Sequence, residues 1–132
     1  MLWWACFAAV TVIVSNYISS DIIKENFFRL RPCNNNNLVP PARLLLGYKP
    51  LNSSFVSSHA SNHFAMAVFF YKTLKGHIGK WAWLFFAWAI IIVYAQVYVG
   101  VHYPLDVICG AIVGIVFGYL SAYSFNQKYS LA

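Results

Sequence analysis

The chain has 132 residues and a net charge of +6, with only 9% charged residues against 61% hydrophobic and 19% aromatic. Soluble domains carry roughly 25% charged residues, so this composition excludes an ordinary soluble domain and indicates a membrane protein. The Lys and Arg residues lie in short segments between apolar runs and near the C-terminus, not along a stripe, which favours the lipid bilayer and its anionic headgroups as partner over nucleic acid.

Four stretches are apolar enough to cross a bilayer, which takes about 20 residues per helix: Leu2–Ser19, Ser57–Leu74, Trp81–Val99 and Leu105–Phe125. The first has no basic leader and no small-residue cleavage site, so it is expected to be a retained helix and not a signal peptide. A long connection to about Phe55 follows, with the polar tract "NNNN" at Asn34–Asn37. The second stretch opens on polar "SSHASNH" and ends in the turn "KGHIGK", and the third and fourth are joined by a very short turn at Gly100–Pro104. Cys6, Cys33 and Cys109 form no CxxC or metal-like spacing and read as small buried hydrophobes. The expected fold is all-α, a transmembrane bundle of about four membrane helices in one domain, 1–132, with the long loop carrying part of a site.

Because the chain changes sides at each crossing, the long loop and the Gly100–Pro104 turn must share one face of the membrane. That face receives Lys24, Arg29, Arg31, Arg43 and Lys49, then Ser57, Ser58 and His59, then His102 and Asp106. The other face holds Lys72, Lys75, Lys80 and Lys128. If Lys24 and Arg31 are reserved for a ligand, the remaining positive charge puts the second face in the cytoplasm and the polar cluster outside.

Three elements on this face carry chemistry. In "GVHYPLD", His102 and Asp106 stand at i and i+4, so on a helix they share one face within hydrogen-bond reach. A carboxylate on one ring nitrogen fixes the tautomer and makes the other a better nucleophile; the bland reading is a capped helix start at Pro104. In "KENFFRLRP", Lys24 and Arg31 are two helical turns apart and would point the same way, suiting an anion with several oxygens, or merely a lipid headgroup. In "SSHASNH", a helix starting near Ser57 offers free backbone N–H groups to phosphate, and His59 in its first turn could pass a proton to a leaving oxygen. His59 and His63 also have metal-ligand spacing, but no Glu or Cys joins them. A metal therefore ranks below phosphate and no cofactor is expected.

Together these segments resemble the type 2 phosphatidic acid phosphatase family, which shares its site with vanadium haloperoxidases. The first motif of that family, Lys, six residues, Arg-Pro, is intact as Lys24 to Arg31-Pro32. The second, Pro-Ser-Gly-His, appears as Val56-Ser57-Ser58-His59, and the third, Ser-Arg, five residues, His, three residues, Asp, appears with Ala95-Gln96 in place of Ser-Arg and with His102 and Asp106 intact. The resemblance implies that His102 attacks phosphorus with Asp106 orienting it, and that His59 serves the leaving group and then water. Lys24, Arg31, Ser57, Ser58 and, in the arginine's place, Gln96 would hold phosphate oxygens.

The expected function is therefore an integral membrane phosphatase, metal-independent, acting on a phosphorylated membrane lipid: a phosphate monoester or polyprenyl pyrophosphate of the undecaprenyl pyrophosphate, phosphatidylglycerophosphate, phosphatidate or lipid A type. A bacterial inner membrane with the site facing the extracytoplasmic side is the expected location. The alternative is a weak or inactive relative that only binds phosphorylated headgroups, for which Gln96 is the best support. A metal-dependent hydrolase using His59, His63 and His102 is a third reading; a haloperoxidase is disfavoured because its site needs no chain this apolar. Family members usually have two helices before the first motif and this chain has one, so it is either a minimal version or lacks N-terminal helices.

Overall fold

The computed structural model describes residues 2–129. Among them there is no β-strand, and four long helices form the body. Helix α1, Leu2–Asn16, continues through a π-helical stretch, Tyr17–Ile23, and a last α-turn, Lys24–Asn26. Helix α2 spans Ser58–Ile78, α3 Leu84–Tyr98 and α4 Pro104–Tyr129. The apolar run Ser58–Tyr98 is 41 residues long, twice what one crossing needs, and it folds back on itself. Gly79 stops α2 at φ 55 and a 3₁₀ turn, Gly79–Trp83, reverses the chain into α3. The pairs Tyr71–Phe86 and His63–Trp88 give the antiparallel register of α2 and α3.

The bundle thus has the four helices that the apolar runs predict, with several boundaries displaced: the first helical run continues to Asn26, α3 starts at Leu84 and α4 runs on to Tyr129. Helix α2 runs on past Leu74, because Lys75, Gly76 and His77 can stay helical at the membrane edge and only Gly79 adopts the backbone that ends it. At its start Ser57 is the N-cap, its hydroxyl accepting from the Ala60 amide at 3.3 Å. Pro104 opens α4, where its missing N–H costs nothing.

Helices α2 and α4 are the central pair, and glycine lets them touch. Gly110, Gly114 and Gly118 recur every fourth residue along one side of α4, against the carbonyls of Ser57, Ser61 and Ala65. In lipid the hydrophobic effect does not drive helices together, so this close backbone approach supplies the packing. Helix α1 lies across both, held by hydroxyl contacts: Ser15 to Ser61 at 2.7 Å, Thr11 to Ser121, and the Trp4 indole donating to Thr73 at 2.9 Å. Phe69, Ala122 and Phe125 fill the core at the end away from the long loop, with Trp4 and Phe7 packed on them.

The outer surface is apolar. Ile13, Ile91 and Ile112 are 65%, 66% and 56% exposed, and a belt of this kind is stable against acyl chains and not against water. The chain is an integral membrane protein by this surface and by its apolar helices.

The connection between α1 and α2 folds over one end of the bundle and is tied there by backbone hydrogen bonds. Cys33 donates to Gly100 O at 3.2 Å, Leu45 to Val99 O at 3.2 Å, and Ser57 to Asp106 O at 3.0 Å. The long loop and the α3–α4 turn therefore occupy the same end, as alternating crossings require.

Candidate active site

At that end a cavity of about 430 Å³ opens between the helices and the loop. Lys24 at the end of the first helical run, Ser58 and His59 in the first turn of α2, Gln96 near the end of α3, Arg31 in the loop and His102 in the α3–α4 turn all line it. Six of the eight residues singled out from the sequence thus share one wall, although up to 78 positions separate Lys24 from His102 in the chain.

The remaining two lie beneath. Ser57 is fully buried as the cap of α2 and is not among the cavity-lining residues. Asp106 is fully buried behind His102. The route by which Lys24 and Arg31 meet also differs from the expected one. Helix ends at Asn26, Phe27 is already extended (φ −128, ψ 91), and Arg31 is extended as well (φ −68, ψ 153), as the Pro that follows it demands. The path of the loop brings the two cations to one cavity; a shared helical face does not.

Arg31 is firmly held and only 6% exposed. Its guanidinium donates to Asn52 Oδ1 at 2.8 Å, to Asn52 O at 3.1 Å and to Val101 O at 3.0 Å. Nη1 also lies 3.2 Å from Nε2 of His102. Since guanidinium can only donate, Nε2 must carry the lone pair and Nδ1 the proton. Burial lowers the affinity of Arg31 for its proton, but arginine remains charged at any working pH.

On the other side of the ring, Nδ1 of His102 is 3.7 Å from Asp106 Oδ2, beyond hydrogen-bond distance. The Ser54 hydroxyl fills the interval. It lies 3.4 Å from Nδ1 and donates to Asp106 Oδ2. Asp106 also accepts from the Tyr103 amide at 2.9 Å, closing the first turn of α4, and pairs through Oδ1 with Arg29 at 2.8 Å. Arg29 in turn lies over the Tyr103 ring at 4.2 Å. Asp106 is therefore the cap of α4 and a neighbour of the histidine, but the direct hydrogen bond expected from the i, i+4 spacing is not formed.

Burial, and then the charges of Arg31 and Lys24, push the His102 pKa down to about 4, against the pull of Asp106. The ring is neutral at pH 7, with its lone pair toward the cavity. No carboxylate lines that cavity, whereas two cations do, so the site suits an anion. His63 turns elsewhere. Its Nδ1 is 2.8 Å from the His59 carbonyl and its ring packs on Trp88 of α3, and among the described residues no three of His, Cys, Asp and Glu are gathered as metal ligands.

Sequence reasoning did not find Ser54 or Asn52, and it put Arg29 only on the same face. Nothing in their spacing marks them; they matter because the loop closes on itself, Ser54 N donating to Arg29 O at 2.8 Å.

The model of the PAP2 superfamily matches residues 4–130. The chain belongs to this superfamily. Among curated proteins it is similar to a lipid A 4'-phosphatase of Porphyromonas gingivalis (26% identical, over 83% of this chain and 46% of the relative). It is also similar to a lipid A 4'-phosphatase of Bacteroides thetaiotaomicron (30%, over 85% and 49%) and to an undecaprenyl-diphosphatase of Sulfolobus acidocaldarius (36%, over 85% and 52%). This PAP2 chain spans about half the length of the curated relatives it matches. No solved structure matches it at a significant level.

Proposed function

We propose that this PAP2 domain, 1–132, is the catalytic unit of an integral membrane phosphatase that hydrolyses a lipid phosphate monoester or a polyprenyl pyrophosphate through a phosphohistidine. The observation that carries this reading is the Arg31–His102 contact: a neutral imidazole with its lone pair toward a cavity, beside a fixed guanidinium and the Lys24 ammonium. The names of the relatives, lipid A 4'-phosphatase and undecaprenyl-diphosphatase, support lipid phosphates as the substrate class.

In the proposed reaction Nε2 of His102 bonds to phosphorus as the bond from phosphorus to the lipid-side oxygen breaks. His59 gives that oxygen a proton. A water, losing its proton to His59, then attacks the phosphohistidine, and inorganic phosphate leaves with the His102 ring restored. Lys24 and Arg31 hold the phosphoryl oxygens, with the Ser58 region and Gln96 completing the cradle. Ser57 acts on it only through the helix start that it caps. The lipid tail stays among the acyl chains, so the substrate need not leave the bilayer.

The charges suit a site facing away from the cytoplasm. Arg29 is paired with Asp106, and Arg31 and Lys24 line the cavity, which leaves Arg43 and Lys49 on that face against Lys72, Lys75, Lys80 and Lys128 on the other. In a bacterium this is the outer side of the inner membrane.

The test is phosphate release in detergent from a panel of lipid phosphates and pyrophosphates, comparing the chain with His102→Ala and repeating it with chelator. Release that depends on His102 and resists chelator is expected. Equal release from both proteins overturns the phosphohistidine; none from either overturns the phosphatase reading and leaves a headgroup-binding relative; loss with chelator points to a metal-dependent hydrolase.

A further inference from the structure

We infer that Ser54 is a positioning residue of the candidate site: its hydroxyl bridges His102 and Asp106, so that the carboxylate acts on the imidazole through serine and not directly. The inference rests on the phosphatase reading above for its kinetic consequence, but its structural content stands by itself.

Three observations lead to it. First, the direct path is too long, 3.7 Å between His102 Nδ1 and Asp106 Oδ2, whereas Ser54 Oγ is within reach of both atoms. Second, the hydrogen-bond inventory closes in only one way. A serine hydroxyl has one proton and two lone pairs. The carboxylate can only accept, so the Ser54 proton goes to Asp106, and a lone pair is left facing Nδ1. The ring must then donate from Nδ1, which is the tautomer the Arg31 guanidinium independently requires at Nε2. Two unrelated neighbours, one on each side of the ring, thus select the same lone pair for the cavity.

Third, Ser54 has no freedom to do otherwise. It is fully buried, its amide is bonded to Arg29 O at 2.8 Å, and the adjacent Ser53 hydroxyl ties Phe27 O and the Arg29 amide at 2.8 and 3.1 Å. Arg29 holds the far carboxylate oxygen, Oδ1, at 2.8 Å. The carboxylate is thereby clamped between Arg29 and the α4 turn, and it presents Oδ2 to the serine. In a buried chain of this kind each bond polarises the next, and an unpaired member is costly. The bridge supports the imidazolium-like charge that develops on His102 as it bonds to phosphorus, and it keeps the ring from rotating. It leaves the phosphate-holding groups untouched.

The test compares the wild-type chain with Ser54→Ala, Ser54→Thr and Ser54→Cys, using His102→Ala as the inactive reference. On a lipid phosphate the wild type turns over, Ser54→Ala is expected to lose about 10- to 100-fold in kcat with KM within about twofold, and Ser54→Thr to recover most of it. A wild-type kcat in Ser54→Ala, or a loss seen in KM alone, overturns the bridge. The second readout does not depend on activity: ¹⁵N spectra of histidine-labelled protein in micelles, with His102 assigned by its absence in His102→Ala. Both rings are expected as the Nδ1–H tautomer, which Arg31 also selects, but Ser54→Ala is expected to lose the hydrogen bond of the Nδ1 proton, seen as an upfield shift and faster exchange of that proton. An unchanged Nδ1 proton overturns the inference even in an active enzyme, whereas a changed one in a chain that releases no phosphate upholds the bridge and rejects the phosphatase reading. Should Ser54→Ala fail to fold, Ser54→Cys, nearly isosteric and a weaker donor, supplies the same comparison.

Discussion

Arg31 Nη1 stands 3.2 Å from His102 Nε2, a cationic donor resting on the nitrogen proposed to attack phosphorus. This contact engages the lone pair of the nucleophile; a phosphoryl group, richer in acceptor oxygens, would draw the guanidinium to itself and free it. The arrangement depends on the planar fork, because the other two nitrogens of the same guanidinium, Nε and Nη2, are bound to Asn52 and a lysine cannot fill both roles. Arg31→Lys is therefore expected to lower kcat/KM for a lipid phosphate by about 10- to 100-fold, the loss of a charge-assisted bond of roughly 1.5–3 kcal/mol. Activity at the wild-type level in this variant would mean that charge alone suffices.

The ionisation of His102 gives a second expectation. Its folded pKa, about 4, lies below the ordinary histidine value because burial and then Arg31 and Lys24 oppose a positive ring. The unfolded chain therefore binds this proton more readily than the folded one. Stability drawn from the neutral ring is complete above about pH 6.5 and is lost as pH falls toward 4. Titration of the His102 ring nitrogens in micelles should show a neutral ring down to about pH 4, and bound vanadate, whose charge offsets Arg31 and Lys24, should move the midpoint upward. A midpoint near 6.5 without ligand would mean that the ring is solvated.

Much of this was legible from the chain alone, for physical reasons that differ from residue to residue. The four helices follow from apolar length, because a bilayer leaves no other way to satisfy backbone groups. His102 and Asp106 could be paired because i and i+4 place them at one helix start, and Ser57 could be recognised as a cap from its position before an apolar run. Lys24 and Arg31 reach one cavity as expected but by another path, since the helix on which the spacing argument relied ends at Asn26 and Arg31, before Pro32, is extended. Ser54, Asn52 and the Arg29–Asp106 pair were not legible at all. They lie on a loop whose course is set by contacts with the α3–α4 turn, and no local periodicity encodes such contacts.

The glycine seam between α2 and α4 positions the site as well as the fold, because His59 leads one helix and Asp106 the other. A methyl group on Gly114 would lie 2.1 Å from the Ser61 carbonyl oxygen and 2.9 Å from the Ala65 nitrogen, both backbone atoms that cannot move aside singly. Gly114→Ala must push the helices apart, a strain of about 1–3 kcal/mol, and should lower both the unfolding temperature in detergent and phosphate release. Gly47→Ala, where a methyl would meet nothing within 4 Å, serves as the control and should leave both unchanged. Equal behaviour of the two variants would show that α2 and α4 are not in backbone contact.

Gln96 offers the sharpest test of what the cavity binds. It faces the same space as Lys24 and Arg31, its side chain makes no hydrogen bond among the described residues, and it stands where the family motif has arginine. Neither of the other nearby arginines replaces that charge: Arg29 is committed to Asp106 behind the histidine, and Arg43 is not among the cavity-lining residues. Gln96→Arg should add one charge-assisted bond to a bound phosphoryl group, so vanadate should inhibit phosphate release at about tenfold lower concentration or less, and kcat should rise. Gln96→Glu should do the reverse, by placing a carboxylate against an anion. If both substitutions leave vanadate inhibition unchanged, the phosphoryl group sits against Lys24 and Arg31 alone, and Gln96 belongs to the part of the cavity that receives the remainder of the headgroup.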